Sequence, residues 1–161
     1  MPPQLTEPAP WDLPSPHVIT FGVDARDIDA YQHVNNAVYL VWLDQVAWSH
    51  SAELGLPIER CVSLGFGMAV TRTVICYLRA ALADDQIEAA TWLIPGNGRL
   101  RVARRFQIRR VSNHETLVRA EIEYACIELK SGRPARWPAE FRERYVVRED
   151  VAPLLAGLAP L

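Results

Sequence analysis

The segment Arg26-Asp27-Ile28-Asp29-Ala30-Tyr31-Gln32-His33-Val34-Asn35-Asn36-Ala37-Val38-Tyr39 crowds two carboxylates, an imidazole and two amides into the passage from a strand-like run to a long apolar helix. A carboxylate near a helix N-terminus, where backbone N–H groups lack intrahelical partners, pairs a base or nucleophile with donors for a developing oxyanion. That combination suits acyl transfer. Taken alone, Asp29 fits a turn-capping role better, because Asp bonds local backbone N–H groups wherever the chain reverses. His33 has the chemistry of a general base, but no Gly-x-Ser-x-Gly nucleophile motif accompanies it. Four histidines (His17, His33, His50, His114) and three cysteines (Cys61, Cys76, Cys126) lack metal-ligand spacing, so no metal is expected.

The Asp-x-Asp pair Asp27 and Asp29, followed by His33-Val34-Asn35-Asn36-Ala37-x-Tyr39, resembles the signature of the hotdog-fold thioesterases of the 4-hydroxybenzoyl-CoA thioesterase type. Val74-Ile75-Cys76-Tyr77-Leu78-Arg79 is similar to that family's second-strand motif, and Arg133-Pro134-Ala135-Arg136-Trp137-Pro138 to its closing segment. The resemblance covers residues 17 to about 145 and departs at Ala80, where relatives often carry proline. It implies an α+β hotdog fold and an acyl-CoA thioesterase, with an acyl-acyl-carrier-protein thioesterase or a non-catalytic acyl-CoA-binding protein as alternatives. Asp29 would be nucleophile or general base, and the Asn36 backbone N–H would meet the thioester oxygen. Asn35 would hold the water, fix Asp29 or cap the helix. Tyr39 would lie near the acyl group, and coenzyme A enters as part of the substrate, with no separate cofactor. The expected partners are an acyl-CoA, possible acyl carrier protein, and a second or fourth copy of the chain, since the family builds its pocket between subunits as a homodimer or homotetramer.

The elements that must position these residues are legible in outline. His17–Ala25 reads as a first strand from Val18, Thr20 and Phe21. A helix is predicted from Asn35 or Asn36 to Leu54, with an Asn cap, Gly55 at its end and Pro57 beyond. Its apolar residues run round nearly the whole circumference, which predicts burial on most sides. Four strands follow at roughly 67–80, 86–95, 99–111 and 115–129, separated by Asp84-Asp85, Pro95-Gly96-Asn97-Gly98 and Ser112-Asn113-His114. The short turns predict an antiparallel meander, curling round the helix with its other face in solvent. Within the third of these strands, Val102, Phe106 and Ile108 alternate with Arg101, Arg105 and Arg109. The arginines there could bind coenzyme A phosphates. Against that, Glu121 and Glu123 have the parity to face Arg101 to Arg105 across the hairpin and make ordinary cross-strand ion pairs. Arg104, like Arg72, stands on an otherwise apolar parity and needs a partner such as Asp44, a subunit interface or a ligand.

Composition narrows the function. At 161 residues and 50% hydrophobic content, one domain (17–145) suffices, flanked by a proline-rich arm (1–16) and a loosely held tail (146–161) that includes a short helix near Glu140 to Glu143 at its approach. A net charge of −2 disfavours nucleic acid. The longest apolar run stops at Asp44, too short to span a membrane, and the N-terminus lacks signal-peptide character, so a cytoplasmic location without membrane contact is expected. The cysteines are read as packing residues.

Overall fold

A computed structural model describes residues 11–96 and 101–161. Most of the predicted arm, part of the Pro95–Gly98 turn, and Arg99 and Leu100 therefore lie outside the described residues. The chain forms β1 (His17–Gly22), a 3-10 turn (Ala25–Asp27), α1 (Asn36–Glu53), α2 (Ile58–Leu64) and β2 (Phe66–Tyr77). There follow β3 (Gln86–Pro95), β4 (Arg101–Arg110), β5 (Thr116–Glu128), α3 (Ala139–Arg144) and a closing 3-10 turn (Ala152–Gly157). The expected strands and the short helix near Glu140 all form. α2 was not expected. Its seven residues, between the Pro57 cap and left-handed Gly65 (φ 80°), are too few to display a helical period.

The strands make one antiparallel sheet in the order β1-β3-β4-β5-β2. This corrects the expected meander, since β2 pairs with β5 and not with β3. The segment between β2 and β3 is no tight hairpin. It crosses past the N-terminal end of α1, where Val34 N–H donates to Ala81 O (3.0 Å) and Ala81 N–H to the Tyr39 hydroxyl (2.8 Å). The crossing carries β3 to the far side of the sheet and ties the start of α1 to the linker.

α1 is about 27 Å long at 1.5 Å per residue. Asn35 caps it by accepting from Ala37 N–H at 2.9 Å, and it ends at Leu54 with Gly55 in the left-handed region (φ 86°). One face, Tyr39, Trp42, Leu43, Val46 and Ala47, packs on the sheet against Phe106, Ile108, Ala120 and Ile122. The expected burial on most sides is not met in the single chain: Leu40, Val41 and Trp48 are 42, 53 and 37% exposed. A single sheet layer covers only one side of a helix, so the second apolar stripe stays open.

The solvated outer face is also corrected. On β4, Arg105, Gln107 and Arg109 are buried, because residues 11–16 and the C-terminal segment lie over them. Asp12 N–H donates to Gln107 Oε1 (2.8 Å), and the Asp12 carboxylate takes two bonds from Arg119 (2.7 and 2.8 Å). The Arg109 guanidinium stacks 3.5 Å from the Trp11 ring centroid. Leu13, Trp92 and Val151 form a second small core here, and Trp92 Nε1–H donates to Pro14 O at 2.8 Å. Trp92→Ala removes the largest fully buried side chain of that layer and its bond. Denaturant unfolding is expected to show a loss of about 3–5 kcal/mol. A loss below about 1 kcal/mol would mean that the outer layer adds no net stability.

Candidate active site

The turn between Asp27 and Asn36 is fixed by backbone bonds. Ile28 bridges Val34, Asp29 N–H donates to His33 O (2.8 Å) and Gln32, left-handed at φ 63°, donates to Asp29 O (3.0 Å). Asp27 is structural, as expected of the first carboxylate. Its Oδ2 accepts from Asp24 N–H (2.9 Å) in a capping box round the 3-10 turn, and its carbonyl accepts from Asn35 N–H (2.8 Å).

Asp29 Oδ1 accepts from Tyr31 N–H at 2.8 Å and, weakly, from His33 N–H at 3.4 Å. The turn-capping role is therefore real, and it occupies one oxygen. Among the described residues Oδ2 takes no hydrogen bond, and Asp29 lines a cleft of about 360 Å³ together with Tyr31, His33, Asn36, Tyr39 and Tyr77. The capping bonds orient the carboxylate and leave its second oxygen to the cleft.

Asn36 is the first residue of α1 and lines the same cleft. The amides of the next two residues are taken, Ala37 by Asn35 Oδ1 and Val38 by Asn35 O (2.9 Å each). The Asn36 N–H has no acceptor among the described residues, which leaves the dipole end of α1 with one open donor. Of the roles open to Asn35, the structure displays the cap. His33 is exposed, and its ring bonds to no described residue.

Tyr77, inside the second-strand motif, also lines the cleft, a place that its motif alone does not signal. Its hydroxyl donates to Asn36 O at 3.0 Å, so it braces the residue whose amide is open. Tyr39, edge-on to Tyr77 with ring centroids 5.5 Å apart, spends its hydroxyl on Ala81. Burial raises both phenol pKa values, so neither ionises near neutrality. Arg79 lines the cleft with a largely exposed side chain. The signal for Tyr77, Leu78 and Arg79 was their place in the second-strand motif, but only the crossing past α1 brings them to Asp29.

Arg104 and Arg105 do not join this cleft. Arg105 pairs with Glu121 (2.6 Å) across β4 and β5, and Arg101 lies 3.4 Å from Glu123, as the hairpin parity implied. Arg72 lies 3.7 Å from Glu123. Arg104 is only 3% exposed and bonds neither Asp44 nor any other carboxylate. Its guanidinium meets His50 Nδ1 (2.7 Å) and Ser51 Oγ (2.9 Å), with the Tyr145 ring 5.9 Å away. Burial lowers its pKa. Burial, followed by the positive charge of Arg104, lowers the His50 pKa from its ordinary 6.5 to about 3.

The sign of the consequence is fixed by linkage. Unfolded chains protonate His50 below about pH 6.5, whereas the folded chain resists until about 3, so its contribution is complete above 6.5 and is lost as pH falls through that window. The melting temperature is expected to drop between pH 6.5 and 5. His50→Gln, whose carbonyl can still accept from Arg104, should flatten that drop in thermal melts. Parallel curves for the two chains would contradict the assignment.

Among the described residues no group of three His, Cys, Asp or Glu side chains could hold a metal ion, and no helix is long and apolar enough to cross a membrane. A five-stranded antiparallel sheet against one long helix is the hotdog fold. A model of the thioesterase-like superfamily matches residues 23–145; the chain belongs to that superfamily and is a thioester hydrolase. It is 27% identical to the long-chain acyl-CoA thioesterase FadM of Escherichia coli (strain K12) over 117 residues, which cover 73% of this chain and 87% of FadM. The 1,4-dihydroxy-2-naphthoyl-CoA thioesterase Slr0204 from Synechocystis superposes with a TM-score of 0.72 at 17% identity, over 81% of this chain and 96% of that one. The DHNA-CoA thioesterase from Staphylococcus aureus gives a TM-score of 0.74 at 17% identity, over 81% and 88% respectively. At those identities the two structures establish the fold alone.

Proposed function

We propose that the chain hydrolyses acyl-CoA thioesters to a free carboxylic acid and coenzyme A, with Asp29 as the attacking or water-activating group. The observation that carries this reading is the pairing, in one cleft, of an unbonded carboxylate oxygen with an unbonded helix-terminal amide. A thioester carbonyl seated there receives the Asn36 N–H on its oxygen while Asp29 approaches its carbon. Asp29 either bonds to that carbon, giving a mixed anhydride that water then opens, or removes a proton from the water that attacks. In both routes the carbon–sulfur bond breaks and the thiolate leaves. His33, exposed at the cleft edge, is positioned to exchange protons with solvent.

The active form is a homodimer or higher assembly in this proposal. The stripe of Leu40, Val41 and Trp48, exposed among the described residues, is the surface that a second copy would cover. Three free thiols suit a cytoplasmic setting.

Thiol release from a panel of straight-chain, branched and aromatic acyl-CoA esters tests the reading. Turnover of at least one class is expected, with long-chain esters included because of the similarity to FadM. Cleavage only of carrier-protein thioesters would transfer the proposal to that substrate, and no cleavage of either would end it.

A further inference from the structure

A second cavity, of about 430 Å³, opens between β1, the C-terminal half of α1 and the chain after α3, with His17, His50, Glu53, Trp92, Val146 and Arg148 among its walls. The thioester chemistry uses none of them. Most polar groups round the cavity are already engaged. His17 Nδ1 meets the Glu53 carboxylate, and its Nε2 lies 2.8 Å from Ser49 Oγ. Thr91 Oγ1 donates to Arg105 O (3.2 Å) and Trp92 Nε1–H to Pro14 O (2.8 Å), which leaves the Trp92 ring as apolar wall.

Two donors are left over. Arg104 can only donate, so His50 Nδ1 accepts from it (2.7 Å) and the ring proton sits on Nε2. Arg104 does not border this cavity, so the Nδ1 edge of the His50 ring is turned away from it and the Nε2 edge faces in. His50 Nε2 bonds to no described residue, and it is not sealed from solvent. The second donor is Arg148. It gives Nε and Nη2 to Asp150 (2.9 and 3.2 Å), while its Nη1 has no partner among the described residues.

Positive charge stands behind both. The Arg104 guanidinium is buried, meets no carboxylate and bonds directly to the far edge of His50. Burial first, and then the positive groups Arg104, His17 and Arg148, keep the His50 ring neutral, so it offers a fixed N–H in an electropositive surrounding. A buried cation without a counter-ion is costly, and an anion on His50 Nε2–H supplies one through the ring.

We propose that this cavity binds a small monocarboxylate with an apolar body, its carboxylate accepting from His50 Nε2–H and Arg148 Nη1–H and its alkyl or aryl group lying against Trp92, Leu93 and Val146. The volume is at the small end of ligand sites. Glu53, on the same wall, carries a negative charge that disfavours a second acid group on the ligand. The site is separate from the Asp29 cleft and does not rest on the thioesterase reading.

Isothermal titration of the full chain with benzoate and with hexanoate tests the site. One-to-one binding of at least one acid is expected. Benzamide, which lacks the charge, and succinate, which sets a second carboxylate against Glu53, should bind roughly tenfold or more weakly. His50→Asn places a carbonyl where Nδ1 stands, keeps the bond from Arg104 and removes the Nε2 donor; affinity should again fall roughly tenfold or more. Val146→Trp, at a 56% exposed position, fills the cavity without touching either donor and should abolish binding. Asp29→Asn should bind the acid as tightly as the native chain. Thiol release from acyl-CoA by Val146→Trp should stay within about twofold of native, because Val146 stands outside the Asp29 cleft. No binding of either acid at millimolar concentration overturns the proposal. So does equal affinity for benzamide, or binding that survives either His50→Asn or Val146→Trp undiminished. Failure of acyl-CoA hydrolysis would sink the Asp29 reading instead and leave the titrations unaffected.

Discussion

Asp29→Asn is expected to lower acyl-CoA hydrolysis by roughly 10³-fold or more while leaving the fold intact. The two halves of that expectation have separate physical grounds. Asparagine keeps Oδ1, so the bonds from Tyr31 N–H and His33 N–H survive and the turn that leads into α1 holds its shape. What disappears is the negative charge and the basic second oxygen, which no longer attacks a carbonyl or accepts a proton from water. Thiol release and thermal melting on the same preparation read both halves. Asp29→Ala separates the effects from the other side, since it removes the turn bond as well and should add a stability loss of about 1 kcal/mol.

Asn36→Pro isolates the amide. Proline is favoured at the first helical position, where its fixed φ suits the helix and its missing N–H breaks no intrahelical bond. Asn35, at φ −56° and ψ 135°, already has the extended backbone that a following proline requires. The Tyr77 bond is to the Asn36 carbonyl and survives. The substitution therefore removes one open donor and little else. Loss of a single oxyanion donor is worth about 10²–10³ in turnover, so a fall of that size in kcat is expected. Asn36→Ala, which keeps the N–H, should stay within several-fold of native. Equal effects of the two substitutions would assign the role to the side chain instead.

Much of the site was legible before the fold, for a local reason. The Asn35 cap, the Asn36 start and the Gly55 stop are properties of neighbouring residues, and backbone bonding near a helix end depends on little else. Tyr77 and Arg79 were harder to place, because the cleft they line exists only where the β2–β3 linker crosses α1. Strand order had the same obscurity. Alternation sets which face a residue takes, but a strand of this composition pairs as readily with β5 as with β3. The outer face misled for another reason. Arg105, Gln107 and Arg109 look like solvent positions, yet Glu121, Thr116 and Glu88 give each a partner under the arm and tail. Polarity thus reports the need for a partner and not exposure. The parity of Arg104 implies a partner, and that partner is neutral His50 in place of an acid.

The most direct measurement is thiol release from the acyl-CoA panel by the native chain and by Asp29→Asn, at equal concentration and with matched melting temperatures. The account predicts turnover of at least one ester by the native chain and none above the uncatalysed rate by the variant. Equal rates for the two would contradict it.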